Sequence, residues 1–103
     1  GMQMQHLFSF VDRKRVCVVQ FEQCKRDTGA QLGALYSFLG LNPDYRPAAI
    51  GERVNEATGK KDELDPTVRA ALINAYEPDV KRLLELDLGI DVARWPNFAH
   101  LAQ

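Results

Sequence analysis

The chain has few residues that could bind a metal or form a disulfide. Its 103 residues include two cysteines and two histidines. Cys17 and Cys24 lack the Cys-x-x-Cys spacing of zinc sites, and His6 and His100 lie at opposite ends of the sequence. We therefore predict no metal site. We also predict two reduced, structural cysteines, which is typical of a cytoplasmic protein.

The chain also lacks a long apolar run and an excess of either charge. No stretch approaches the roughly 18 apolar residues that a membrane-spanning helix needs, and no signal-peptide pattern is present. The net charge of −1 argues against nucleic-acid binding, which normally requires a basic surface. Hydrophobic residues make up 46% of the chain and charged residues 26%, as in ordinary globular proteins. These features predict one domain without a membrane or nucleic-acid partner.

Residues 16–21, with the sequence VCVVQF, predict one short β-strand. The run is almost continuously apolar and rich in β-branched residues, which is typical of a strand buried on both faces of a parallel sheet. Every other periodic segment predicts a helix, so the strand has no partner within the chain. Unpaired backbone groups are costly when buried. We therefore expect the strand to join a larger α/β sheet or to pair with a second copy.

The segment after the strand predicts a helix over about 28–39. Thr28 and Gln31 fit a capping box at its start, and apolar residues recur on one face. Gly40 is expected to end the helix, because the position after the C-cap favours a left-handed backbone that glycine adopts at little cost. A strand followed by an amphipathic helix is half of a βαβ unit.

Two further helices are predicted over about 66–76 and 78–86. Asp65 and Pro66 form a strong start signal, since aspartate caps a helix and proline is tolerated at its first position. Pro78 is expected to kink or restart the helix. Residues 2–10 predict a short helix. The apolar residues of 90–98 are expected to pack back as a lid.

Between these helices, residues 41–65 show little periodicity. Residues 51–62, with the sequence GERVNEATGKKD, are polar. A stretch of about 24 residues without regular structure is unusual in a compact domain and is often functional. This loop is therefore the first place to expect chemistry.

The order of these segments resembles the C-terminal part of sulfotransferases that use 3′-phosphoadenosine-5′-phosphosulfate (PAPS), especially the bacterial and carbohydrate-type branch. The resemblance covers nearly all of residues 7–98. The segments that carry it are VCVVQFEQC, LGALYSFLGL, the loop with RVN and GKK, LDPTVRAALINAYEPDVKRLLEL and DVARWPNF. Their most specific residues are Phe21-Glu22, Phe38-Leu39-Gly40-Leu41, Tyr76, Pro78-Asp79-Val80, Leu83 and Trp95.

The resemblance implies a mainly α chain with one short β-strand, the C-terminal fragment of a doubly wound parallel α/β fold related to nucleotide kinases. It implies a single incomplete domain over 1–103. It also places residues 51–61 near the 3′-phosphate of the nucleotide, where cytosolic members carry Arg-Lys-Gly and this chain has Gly-Lys-Lys. The nucleotide-binding candidates are Arg53, Asn55, Lys60 and Lys61, since arginine and lysine are the usual phosphate partners.

Several parts of that family have no counterpart in these residues. The phosphate-binding loop, the catalytic base and the lysine that stabilises the leaving oxygen all belong to its N-terminal part. The resemblance therefore implies no catalytic residue in this chain. Neither PAPS nor its product 3′-phosphoadenosine-5′-phosphate (PAP) is expected to bind it tightly.

Two functional hypotheses follow. In the first, the chain is the C-terminal segment of a sulfotransferase that transfers a sulfuryl group to a hydroxyl or amine acceptor, is inactive in isolation and needs an N-terminal part. In the second, it is a non-catalytic helical interaction module that forms a homodimer by antiparallel pairing of residues 16–21. Glu22, at the end of the predicted strand, is expected to be structural.

Overall fold

The computed structural model describes residues 1–103 and contains four α-helices and no β-strand. The helices are α1 (Met2–Phe8), α2 (Phe21–Arg26), α3 (Thr28–Phe38) and α4 (Pro66–Glu85). The chain also contains three short 3₁₀ helices, Arg13–Arg15, Val92–Arg94 and Ala99–Leu101. The prediction of a short strand in a doubly wound α/β fold is therefore wrong, because the chain is a small helical protein.

The predicted strand is instead an unpaired segment that leads into α2. Val16 and Gln20, at its two ends, have the extended dihedral angles of a strand (φ −119° and ψ 123°; φ −91° and ψ 123°). The side chains between them are not buried on both faces, since Val18 is 37% exposed and Val19 is 44% exposed. The segment has strand-like composition, but no other segment of this chain supplies a backbone ladder. Phe21, assigned to the end of the strand, begins α2.

The residues fall into two compact units. The α1–α4 unit contains residues 1–16 and 61–103, and the α2–α3 unit contains residues 17–60. The sequence predicts a single incomplete domain over 1–103. Each unit is described below by the contacts within it.

In the α1–α4 unit, Asp65 begins α4 by accepting hydrogen bonds from the amides of Thr67 (2.8 Å) and Val68 (3.3 Å). The helix continues through Pro78, where sequence analysis expected a kink or restart. At the far end of α4, the Arg13 guanidinium donates to the carbonyls of Leu86 and Asp87, which α4 leaves without intrahelical donors.

In the α2–α3 unit, α3 begins differently from the predicted capping box. Asp27 is the N-cap, and its Oδ1 accepts from the amide of Ala30 at 3.0 Å. The Thr28 hydroxyl donates to the carbonyl of Cys24 at 2.8 Å instead. The predicted role of Gly40 is confirmed: its φ is +74°, and its amide donates to the carbonyl of Ser37. The Leu41 amide donates to Tyr36, which completes a Schellman ending.

Candidate functional site

The four residues predicted to contact a nucleotide lie in a loop without regular structure, and every one of them is exposed. We call residues 51–61 the cationic loop. Gly51 and Gly59 have left-handed backbones, with φ of +90° and +118°. No side-chain carbon would approach another atom at either glycine. The loop therefore has free space around its turns.

Arg53 and Asn55 both have features that are internal to the loop. The Arg53 guanidinium donates to Glu56 Oε1 at 2.9 Å, and both side chains are exposed. Asn55 has φ of +58°, a left-handed conformation that asparagine tolerates better than most residues. The Glu56 carboxylate offsets the positive charge that Arg53 would offer to a phosphate.

Lys60 and Lys61 form no ion pair or hydrogen bond. Lys60 belongs to the α2–α3 unit and Lys61 to the α1–α4 unit. An exposed ammonium without a carboxylate partner is available to an anionic ligand. The structure thus shows two available lysines and one internally paired arginine, rather than a preformed phosphate site.

A cluster on α3 was not predicted from the sequence. The Arg46 guanidinium donates to the carbonyls of Pro43 (2.6 Å) and Tyr45 (2.8 Å). It lies against Gly29 and Gly33, where an added Cβ would come within 3.3 Å and 3.1 Å of its nitrogens. Glycines four residues apart on a helix are the signal that would have found it, because both lie on one face.

Beside this site, the rings of Tyr36 and Tyr45 lie 6.1 Å apart at an angle of 52°. With Leu41 and Asn42 they line a cavity of about 280 Å³. The cavity is just below the usual range of small-molecule pockets, roughly 300–1,000 Å³. It contains no charged side chain, so it has no group that would attract a phosphate.

A second missed cluster joins the end of the chain to α4. Glu77 Oε1 pairs with the Lys81 ammonium at 2.8 Å, and Glu77 Oε2 contacts His100 Nε2 at 2.9 Å. We call these three residues the tail cluster. Hydrogen bonds from Lys81 and then from His100 hold the pKa of Glu77 below its ordinary value of 4.5.

The tail cluster borders an open cavity of about 680 Å³. Its walls include apolar side chains of α4 and of the segment after it, together with Lys81 and His100. Glu77 already pairs with both Lys81 and His100. The cluster therefore joins the tail to α4 and offers no unpaired charge to a ligand. No sequence signal predicts this contact, since Glu77 and His100 are 23 positions apart.

Neither cysteine is in a disulfide, and Cys17, expected to be buried in the strand, is exposed. No group of three or more histidine, cysteine, aspartate or glutamate side chains is arranged to hold a metal ion. No helix has both the length and the apolar character needed to span a bilayer. Comparisons with protein-family models, curated proteins and solved structures found no match to this chain.

Proposed function

We propose that the chain is the C-terminal segment of a PAPS-dependent sulfotransferase and is inactive by itself. The order of sequence segments described above supports this proposal. Within it, the whole enzyme transfers a sulfuryl group from PAPS to a hydroxyl or amine acceptor. Both cysteines are free, which is in keeping with a cytoplasmic enzyme.

The observation that carries the proposal is the small number of apolar side chains that the chain buries. Only one apolar side chain, Val92, is buried. A chain with so small a core is best explained as a part that packs against further protein.

The cationic loop supplies the chemistry that this chain would contribute. Sulfuryl transfer depends on positioning of the donor and on stabilisation of the negative charge that develops on the leaving phosphate. Lys60 and Lys61 are free to neutralise a phosphate of the nucleotide. No residue of this chain is assigned to proton transfer or to the reacting sulfur, so catalysis requires residues outside it.

The test begins with the gene. We expect its reading frame to extend upstream of Met2 and to encode a phosphate-binding loop. The protein from the whole frame should transfer labelled sulfate from PAPS to a hydroxyl or amine acceptor, whereas residues 1–103 alone should not. A stop codon directly upstream of Met2, or sulfation by the short chain alone, would contradict the proposal.

Variants of the whole protein then test the cationic loop. Replacing Lys60 and Lys61 together by alanine should raise the Kd for PAP about tenfold or more, because charge-assisted hydrogen bonds contribute roughly 1.5–3 kcal/mol. The matched control removes Lys14 and Arg15, two exposed cations whose side chains form no ion pair. Equal effects of the two double variants would show that only net charge matters.

A second candidate function is a non-catalytic helical module that forms a homodimer. Such a dimer would pair residues 16–21 of two copies. This segment forms no strand within one chain, but its backbone is extended at both ends, and Val18 and Val19 are exposed.

A further inference from the structure

Adjacent cationic residues occur at four places in the chain, and only one of these places lies outside a helix. Three of them are Arg13–Arg15 in a 3₁₀ helix, Lys25-Arg26 in α2 and Lys81-Arg82 in α4. The fourth is Lys60-Lys61 in the cationic loop. Trypsin-like serine proteases cut after lysine or arginine, because an acidic pocket binds that side chain. The four places are similar substrates by sequence, so the backbone conformation decides between them.

The backbone around Lys60 and Lys61 is exposed and forms no hydrogen bond. No amide or carbonyl group of residues 53–64 has a hydrogen-bond partner in the chain. Every residue of this stretch is exposed, and a Cβ added at Gly59 would meet no other atom within 4 Å. Proteolytic nicking concentrates in exposed loops whose backbone is free of such contacts. The pair can therefore enter the cleft of a protease without the unwinding of a helix.

The other three places lie in backbone that is hydrogen-bonded. The Arg15 amide donates to the carbonyl of Asp12 at 2.9 Å, and the Asp27 amide, directly after Lys25-Arg26, donates to the carbonyl of Gln23 at 3.0 Å. Lys81-Arg82 lies within α4. A protease binds its substrate as an extended segment, so a cut at any of these places requires local opening, which costs free energy.

Arg53 lies in the same loop but closer to hydrogen-bonded backbone. The amide of Glu52, the residue before it, donates to the carbonyl of Ala49 at 3.0 Å. By contrast, the residues on both sides of the Lys60–Lys61 bond, 57–64, all belong to the stretch without hydrogen bonds. The backbone therefore favours the lysine pair over Arg53 as a substrate.

We propose that Lys60-Lys61 is a processing site for a trypsin-like serine protease, which cuts the folded chain after one of these lysines before any other residue. Neither ammonium forms an ion pair, so each is available to the acidic pocket of the protease. Either cut leaves α1, α2 and α3 on one fragment and α4 on the other. The inference rests on the conformation of the loop and does not depend on the sulfotransferase proposal.

The reaction is hydrolysis of one peptide bond. The serine hydroxyl of the protease attacks the carbonyl carbon of the lysine and passes its proton to the protease histidine. The C–N bond breaks, an ester forms at the lysine, and the next residue leaves as an amine that takes the proton from the histidine. Water then hydrolyses the ester, which leaves a carboxylate on the lysine and restores the serine.

The experiment is limited digestion of the full chain in native buffer, followed over time by mass spectrometry. Trypsin tests all lysines and arginines together, and the first two fragments should meet after Lys60 or Lys61. A serine protease specific for lysine then allows rates to be compared without cleavage at Arg53. The same digestion of the urea-unfolded chain should lose this preference, because every site is then accessible.

A double variant, Lys60→Gln with Lys61→Gln, should be cut by the lysine-specific protease about tenfold more slowly or more, because the three remaining lysines lie in helices that must open first. The matched control is Lys25→Gln with Arg26→Gln, which removes the same charge from an exposed pair in α2. This control should be cut at the rate of the parent. Far-UV circular dichroism checks that both variants keep their helices.

Three results would overturn the proposal. One is a first tryptic cut after Arg53 or after a cation in a helix. Another is a folded parent that resists both proteases under conditions that digest the unfolded chain. The third is equal slowing by the two double variants, since that would show an effect of net charge rather than of the site. None of these measurements involves nucleotide, so they are independent of the sulfation assay.

Discussion

Gly29 and Gly33 lie one turn apart on α3 and meet different atoms of the same loop. A Cβ at Gly29 would lie 3.3 Å from Arg46 Nε, on a flexible side chain. A Cβ at Gly33 would lie 3.1 Å from the backbone carbonyl oxygen of Pro43 and from Arg46 Nη2. The first neighbour can move aside, whereas the second is fixed in the turn that holds Arg46.

Alanine at these two glycines should therefore have opposite effects. Gly29→Ala should stabilise the chain by about 0.5 kcal/mol, because alanine has less freedom to lose on folding. Gly33→Ala should remove that gain and lower the free energy of unfolding by about 1 kcal/mol relative to Gly29→Ala. Urea denaturation followed by circular dichroism measures both. Equal stabilisation by the two substitutions would show that the Pro43 turn is not fixed.

Single residues also show which local features could be predicted from the sequence and which could not. The ending at Gly40 was predictable, because the requirement for a left-handed backbone is local. The start of α3 was assigned to Thr28, whereas Asp27 caps it. Aspartate and threonine are both good N-caps and stand side by side, so composition alone does not separate them. The contacts of Arg46 depend on a turn whose geometry no local pattern specifies.

At the scale of secondary-structure elements, residues 16–21 show that a strand-like sequence does not by itself produce a strand. Their composition favours a strand, and the backbone at both ends is extended. A strand also requires a neighbour to complete its hydrogen bonds, and no segment of this chain provides one. Similarly, the pattern around Pro78 predicted two helices, whereas α4 runs through the proline as one helix although Pro78 lacks a backbone donor.

The tail segment is joined to α4 through Glu77, and this contact should make stability depend on pH. The pKa of Glu77 is lowered by Lys81 and His100, so its carboxylate stabilises the folded chain most fully above about pH 4.5, the ordinary value. The contribution is lost as pH falls through the lower pKa of the folded state. Unfolding curves at a series of pH values should therefore show stability decreasing below pH 4.5.

Glu77→Gln is the control for that effect, since it keeps the shape of the side chain and removes the charge. The difference in unfolding free energy between the parent and this variant should shrink as the pH falls below 4.5. Asp79, whose pKa is also lowered, is present in both proteins and cancels. A difference that stays constant down to pH 3 would mean that the tail cluster does not form in solution.

For the whole molecule, composition predicted an ordinary domain, whereas the structure has two compact units with few buried side chains. Composition counts apolar residues but does not show whether they meet. Phe10 and Phe21, for example, are 78% and 67% exposed, although both are typical core residues. The residues proposed to bind a nucleotide could be predicted only as members of a cationic loop, because no local pattern specifies how their side chains are arranged.

The exposed surface has a consequence for unfolding in denaturant. The slope of unfolding free energy against urea concentration, the m-value, scales with the surface exposed on unfolding. Because Val92 is the only buried apolar side chain, unfolding exposes less apolar surface than in a domain with a large core. Urea denaturation at low micromolar concentration should therefore give an m-value below that of a compact 103-residue domain.

If two copies of the chain associate, the m-value should increase with protein concentration, because a dimer buries more surface than the free chain. A low m-value that does not change with concentration would mean that the chain stays monomeric. A high m-value in dilute solution would mean that the free chain has a larger core than one buried apolar side chain.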